Sequence, residues 1–314
     1  LVDPVRVSEE SPVSSSAPFE HHYSAADSPR GFLYHAVRAL SLPRRAFEHS
    51  VLFRHFFGSE LRGRFQGTML GPVWVLVHPL FLFVVYFLVF GVGLRSTIGD
   101  GGMAFFAVYL FSGIVCFHAL VSGTSSAMNA IVGNSNLVKK VAFPCELLPV
   151  VSPAVETVVL MVGLGVAILA GWLSGAASPG PALLALPLFG LSLWMIGTGL
   201  GLLLAHLNVF VRDVRQLYGI LTTPWLFMSP NFWTPKVIFD GPDKLWAETV
   251  SMVLNPAYCL LLAARQIVGL DEATIGIHTT LGFNLAVAAA WGGVLLAIGY
   301  GAFMSNKHKY ADLV

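Results

Sequence analysis

Long apolar runs alternate with short charged punctuation along this chain, and the alternation predicts a bundle of membrane-spanning helices. The clearest junction lies within Ser59–Gly91, where a basic segment turns without a spacer into an apolar one. After Arg62 and Arg64 no charged residue occurs from Phe65 to Leu94. As a helix rising ~1.5 Å per residue, such a run is long enough to cross a hydrocarbon core of about 30 Å. Six spans are predicted in all: Met69–Leu94, Met103–Ile131, Leu147–Leu173, Leu183–Val209, Gln216 to Phe232, and Ile275–Met304. The uncharged tract Thr157–Val211 is too long for one helix, and SGAASPGP at Ser174–Pro181 breaks it into a hairpin. Asn231–Asp271 mixes prolines, aromatics and both charge signs, and its two apolar pieces are too short to cross. They predict half-inserted or surface helices on the outer face, between spans 5 and 6.

Ahead of the first span, Ala46–Gly67 predicts an amphipathic helix lying at the membrane surface. Phe47, Val51, Phe57, Leu61 and Phe65 share one arc, although Arg54 intrudes on it and Leu52, Phe53 and Phe56 point elsewhere. Residues 1–45, rich in Ser, Pro and Ala, predict a disordered arm, with a small partner-binding helix near Phe32–Leu42 as the alternative. The expected division is therefore an arm (1–45), an interface helix (46–67), an all-α six-span domain (68–306) and a short tail (307–314).

Composition supports this class. Of 314 residues, 55% are hydrophobic and only 11% charged, where a soluble domain carries about a quarter charged. On the six-span model, 14 Lys and Arg residues fall inside and four (Arg95, Lys236, Lys244, Arg265) fall outside; counting only from Arg54 onward, the ratio is nine to four. The excess predicts that both termini are cytoplasmic. Cys116, Cys145 and Cys259 lie in or beside apolar tracts without metal-ligand spacing, and read as packing residues.

Titratable residues inside the spans are few. Glu156 is the one acid of the third span and should be paired, with a buried partner such as His78 or Lys140, or lie near the interface. His78 itself reads either as a hydrogen-bonded structural histidine or as a functional group. Arg62 and Arg64 can lift their guanidinium groups to lipid phosphate, to a substrate phosphate or to a partner's carboxylate, or can serve as plain inward-flanking charge. No GxxxxGK[ST], HExxH, CxxC or GxSxG pattern occurs, so nothing supports nucleotide hydrolysis or hydrolytic catalysis by this chain. With essentially one membrane carboxylate, coupling through cytoplasmic loops to a separate motor fits better than an ion gradient.

Four stretches, in order, carry a resemblance: ELRGRFQGTMLGPVWVLVHPL at Glu60–Leu80, NLVKKVAFPCELLPV at Asn136–Val150, VFVRDVRQL at Val209–Leu217, and MSPNFWTP at Met228–Pro235 with the later LNP at Leu254–Pro256. Together they resemble the permease subunit of ATP-binding-cassette transporters of the ABC-2 type that export O-antigen, capsule and teichoic acid polymers. The resemblance implies a homodimer in the bacterial inner membrane, paired with two ATPase subunits that bind the ATP and Mg, and a path for an undecaprenyl- or other lipid-linked polysaccharide between the copies. It implies no cofactor in this chain, and no nucleic acid among its partners. Arg62 and Arg64, with Arg54, would lie near the lipid pyrophosphate. Asn136, Lys139, Lys140 and Phe143 would form the element seated in the ATPase, beside Arg212 and Asp213. Phe232 and Trp233 would belong to the outer gate. Cys145 stands where the family usually places a basic residue before the Glu of its FPxE element, and the missing charge is expected from Lys139 and Lys140.

A sugar polymer also needs a path lined by hydroxyls and aromatic faces, for which Tyr86, Tyr109, Trp194, Trp225, Phe227 and Trp233 are candidates, each with helix packing as its alternative. Two other readings stay open. One is a permease of the same fold for lipids or drugs, which should lack the basic interface helix. The other is a membrane enzyme acting on polyprenyl-linked sugars, whose acids would have to come from Asp240, Asp243, Glu248, Asp271 and Glu272.

Overall fold

The computed structural model describes residues 31–42, 48–64, 66–69, 71–93, 102–140, 144–238 and 244–313. Among them there is no strand. The chain order is α1 (Phe32–Arg38), α2 (Ser50–Gly63), α3 (Trp74–Tyr86), α4 (Gly102–Gly133), α5 (Ser135–Lys140), α6 (Leu147–Leu173), α7 (Leu186–Phe210), α8 (Val214–Met228), α9 (Lys244–Leu254), α10 (Pro256–Val268), α11 (Leu281–Asn306) and α12 (Tyr310–Leu313), with single turns between.

Helix α4 is the centre of the bundle. Small residues let its neighbours approach, and 78% of its most apolar window is buried against α6, α7 and α10. The corresponding windows of α6 and α11 are only 39% and 33% buried. Val158, Val162, Leu169 and Trp172 on α6, and Phe283, Val294 and Ile298 on α11, remain exposed. An apolar helix with one bare side is what a protein solvated by hydrocarbon shows, because lipid tails cover that side without cost. The tightest packing joins α7 to α11. A Cβ added to Gly299 would lie 2.1 Å from the carbonyl oxygen of Gly199, and one added to Gly199 would lie 2.5 Å from the backbone of Leu295. Only glycine permits that approach.

Among the described residues, four helical segments are long and apolar enough to cross a membrane: Gly102–Gly133, Leu147–Leu173, Pro181–Phe210 and Leu281–Lys309. The chain is an integral membrane protein. The other two predicted spans are shorter than expected. Met69–Leu94 becomes α3 followed by the wider turns of Phe87–Gly93, so that the helix runs from Trp74 to Gly93. Its start is delayed by Gly67 and Gly71, both at positive φ. The segment Gln216 to Phe232 becomes α8, 15 residues that stop at Met228 before the turn Ser229–Trp233.

The stretch predicted as half-inserted or surface pieces also differs. Trp246–Leu254 and Pro256–Val268 meet at a bend of 105° at Asn255, whose Oδ1 accepts from the Ala257 amide and caps α10. Every residue of α10 after Pro256 is buried, so it is a core helix and not a surface segment. It ends at Gly269, in the left-handed conformation at φ 87°. Residues 1–30 of the predicted arm lie outside the described residues. Its last stretch forms α1 and a short turn through Ser41, which pack on α11, with Ala39 and Leu42 buried in a cluster that includes Tyr300 and Phe303. All three cysteines are free and buried.

Candidate functional site

The charged residues of α2 are sorted by what lies beneath them. Arg54 and Arg62 are exposed, and the Arg62 guanidinium folds back over Gly58, one turn earlier, where no side chain obstructs it. Arg64 turns the other way. Its Nη1 donates to Glu156 Oε1 at 2.8 Å, and its Nη2 stands 3.7 Å from Glu60 Oε1. The hydroxyl of Ser122 donates to the same Glu156 oxygen, and Ser152 Oγ donates to Glu60 Oε2 at 2.9 Å. The partner of Glu156 is therefore Arg64, not His78 or Lys140. An acid 2% exposed within a spanning helix must be paired, and Arg64 supplies that charge from outside the span. Burial raises the pKa of Glu60 above the ordinary carboxylate value, against the opposing pull of Ser152 and Arg64. His78 packs against His118 with the rings tilted by 49° and their centroids 4.6 Å apart.

The predicted ATPase-facing residues come together in part. Asn136 and Lys139 are exposed on α5, and Arg212 and Asp213 are exposed in the turn between α7 and α8. A cavity of about 330 Å³ joins the two elements, lined by Ser135 from α5, Asn208 from α7, Arg212, Arg215 and Gln216 from the turn and α8, and Leu313 from α12. Lys140 closes α5, and Phe143 lies outside the described residues. Glu146 follows directly after Cys145. Lys307 Nζ, from the end of α11, bonds its Oε2 at 2.8 Å.

Six of the seven predicted path or gate aromatics gather around the turn Ser229–Thr234. Tyr109 is fully buried, its hydroxyl donating to the carbonyls of Pro230 (3.1 Å) and Trp233 (2.5 Å) and its ring covered by the Arg265 guanidinium, 3.5 Å from the centroid. Trp225 Nε1 donates to Asn255 Oδ1 and Trp233 Nε1 to the Phe227 carbonyl, each at 2.8 Å. Phe232 stacks on Phe90 at 4.8 Å and leans on Tyr86 at the same distance. Trp194 stands apart, on the far side of α7, its Nε1 on the Val150 carbonyl, lining an apolar groove with Phe53, Met161 and Pro187. Tyr109 thus has no surface open to a polymer within this protomer.

A family model for ABC-2 type transporters matches residues 51–268, more than half of the chain. The chain belongs to the ABC-2 type transporter family. Its matched region runs from α2 to the last turn of α10, and so contains the Arg64–Glu156 pair, the basic turn at Arg212 and the aromatic cluster. Among full-length relatives of this ABC-2 chain, an O-antigen export system permease protein RfbA from Myxococcus xanthus is 25% identical, covering 88% of this chain and 100% of the relative. An RfbA from Klebsiella pneumoniae is 20% identical over 81% of this chain and 92% of its own. The polysialic acid transport protein KpsM of Escherichia coli is 24% identical over 85% and 98%.

Sequence reading missed two parts of the site. Arg265 counted only as an outside charge, yet it is fully buried, and its Nη2 donates to the Pro230 carbonyl. The half-buried stripe His118, Ser122, Ser125, Ser126 and Asn129 on α4 was not singled out as polar. Its spacing of three and four was the available signal, since such steps keep polar side chains on one helix face.

Proposed function

We propose that this chain, as a homodimer with two ABC ATPase subunits, forms the channel that exports a lipid-linked polysaccharide of the O-antigen or capsule type across the bacterial inner membrane. The observation that carries this reading is the near full-length similarity to permeases named for O-antigen export and polysialic acid transport. The basic helix α2 agrees with it: Arg54 and Arg62 stay exposed and offer charge-assisted hydrogen bonds to a lipid diphosphate, whereas Arg64 is taken up by Glu156. Arg212 and Arg215, sharing one cavity with α5, offer a basic seat for an acidic surface of the ATPase.

On this reading both termini are cytoplasmic, and α3 with Phe87–Gly93 and α8 complete six crossings. These two elements leave Phe81, Val84, Leu88, Leu217, Ile220 and Leu221 exposed, apolar surface suited to a second copy of the chain. Phe232 and Trp233 form the outer gate. ATP and Mg bind the partner subunit. The test is reconstitution of the chain with its ATPase in proteoliposomes, with ATP-dependent transfer of a lipid-linked glycan as the readout. Transfer that requires both subunits supports the proposal; an assembled, ATP-hydrolysing complex that moves lipids or drugs but no glycan overturns it.

A further inference from the structure

Between α2, the Gly133 end of α4 and the start of α6 lies a cavity of about 290 Å³, walled by Ser59, Glu60, Ser126, Asn129, Asn134 and Ser152. Phe56 adds one aromatic face. This volume sits at the lower edge of the ~300–1,000 Å³ typical of ligand pockets, room for a single ring and not for a stretch of polymer.

The polarity of the wall is one-sided. Asn129 Nδ2 donates to the Ser125 carbonyl and Asn134 Nδ2 to the Ala130 carbonyl, each at 2.8 Å, so both amides spend a donor on their own helix. Asn129 Oδ1 is buried and has no donor of its own. Ser152 has spent its hydroxyl proton on Glu60 Oε2. Glu60 brings a carboxylate, and among the described residues no Lys, Arg or His lines the cavity. What remains on offer is amide, carboxylate and hydroxyl oxygen. Such a wall accepts hydroxyl donors and repels a phosphate, which is anionic at neutral pH and is set against the Glu60 carboxylate. An aromatic face beside convergent oxygen acceptors is the pairing that a sugar ring satisfies, since its C–H face is apolar and its rim donates.

Resting on the export reading above, we propose that this cavity seats one neutral sugar residue of the glycan, held through its hydroxyl protons with its apolar face toward Phe56. The site is separate from the exposed arginines of α2, and it concerns the sugar and not the phosphate of the substrate.

The test uses the full permease and ATPase complex in nanodiscs, carrying Ser126→Cys as a reporter beside the three buried native cysteines. Maleimide labelling is timed with glucose, galactose, mannose, rhamnose or N-acetylglucosamine, and with inorganic phosphate as the control. At least one sugar is expected to slow labelling about threefold, as occupancy at twice the dissociation constant gives, while phosphate does not. Asn129→Leu in the reporter background is expected to abolish the protection; Ser59→Ala takes its place if that variant does not assemble. Failure of every sugar to protect a complex that does export glycan overturns this site and leaves the export reading standing. Equal protection by phosphate, or protection that survives the second substitution, overturns it as well. A complex that exports no glycan removes the reading on which the site rests.

Discussion

Arg64 Nη1 meets Glu156 Oε1 at 2.8 Å across 92 positions of sequence, and this bond ties the amphipathic helix α2 to the spanning helix α6. The two ends are unequal. Glu156 is 2% exposed and has no route to water, whereas the Arg64 side chain is 25% exposed. Removing the arginine therefore strands a buried carboxylate, while removing the acid releases an arginine that can turn to solvent. Arg64→Ala is expected to destabilise by about 3 kcal/mol, the lower end for breaking a buried pair because one partner is partly solvated. Glu156→Gln keeps an acceptor for Ser122 and should cost less. Thermal unfolding of the two variants in detergent checks the order; a larger loss for Glu156→Gln refutes the account.

Glu60 makes the same junction sensitive to pH. Burial raises its folded pKa above the unfolded value of 4.5, so the folded state holds this proton more tightly. Stability from Glu60 is thus greatest below the unfolded value and declines as pH rises through the raised folded value. Protection of α2 amides against hydrogen exchange should increase on acidification from neutral pH toward that value, and Glu60→Gln should remove this component of the change. An α2 that loosens on mild acidification, with the loosening abolished by Glu60→Gln, would reverse the sign and refute the prediction.

The four long spans were legible in the sequence within a few residues at their ends, because an apolar run between charges carries its own length. The pairings were not. Hydrophobic period says which face of α6 is apolar, but nothing in it says that Glu156 will find Arg64, or that Glu146 will find Lys307 at a separation of 161 positions. Arg265 misled for a related reason. A charge in a proline-rich stretch reads as solvated, yet the Tyr109 ring and the Pro230 carbonyl accommodate it in the core. The shortness of α3 and α8 was hidden because composition counts apolar residues without marking where the backbone departs from the helix, at Gly71 in one case and Ser229 in the other.

The contact of Gly199 with Gly299 predicts a sharp contrast between glycines. Gly199→Ala would press a methyl group onto the backbone of Leu295, which cannot rotate away, so α7 and α11 must separate. A cost of about 1–3 kcal/mol or more follows from overpacking against backbone. Gly219 of α8 has nothing within 4 Å of the corresponding position, and Gly219→Ala should leave stability unchanged or slightly raised by better helix propensity. Yield of monodisperse protein and melting temperature distinguish the two; similar behaviour would mean that the helices are not so close.

Arg212 and Arg215 line one cavity with α5 and α12 and remain exposed, so if the ATPase docks here as proposed, their contribution is electrostatic and screened. Each exposed pair formed with an acidic group is worth about 0.2–1 kcal/mol. Replacing both by Ala should therefore weaken binding of the ATPase subunit by up to about thirtyfold at low salt, the factor for about 2 kcal/mol at 1.4 kcal/mol per tenfold. The difference from the parent chain should shrink as ionic strength passes 0.1 M, where the screening length falls to about 10 Å. Lys139→Ala, on the exposed face of α5, removes a single charge and should have a smaller effect. Titration of purified ATPase onto the permease in nanodiscs at two salt concentrations checks both parts. A loss of affinity that does not change with salt would place these arginines in a buried contact, and no loss at all would move the docking surface away from this turn.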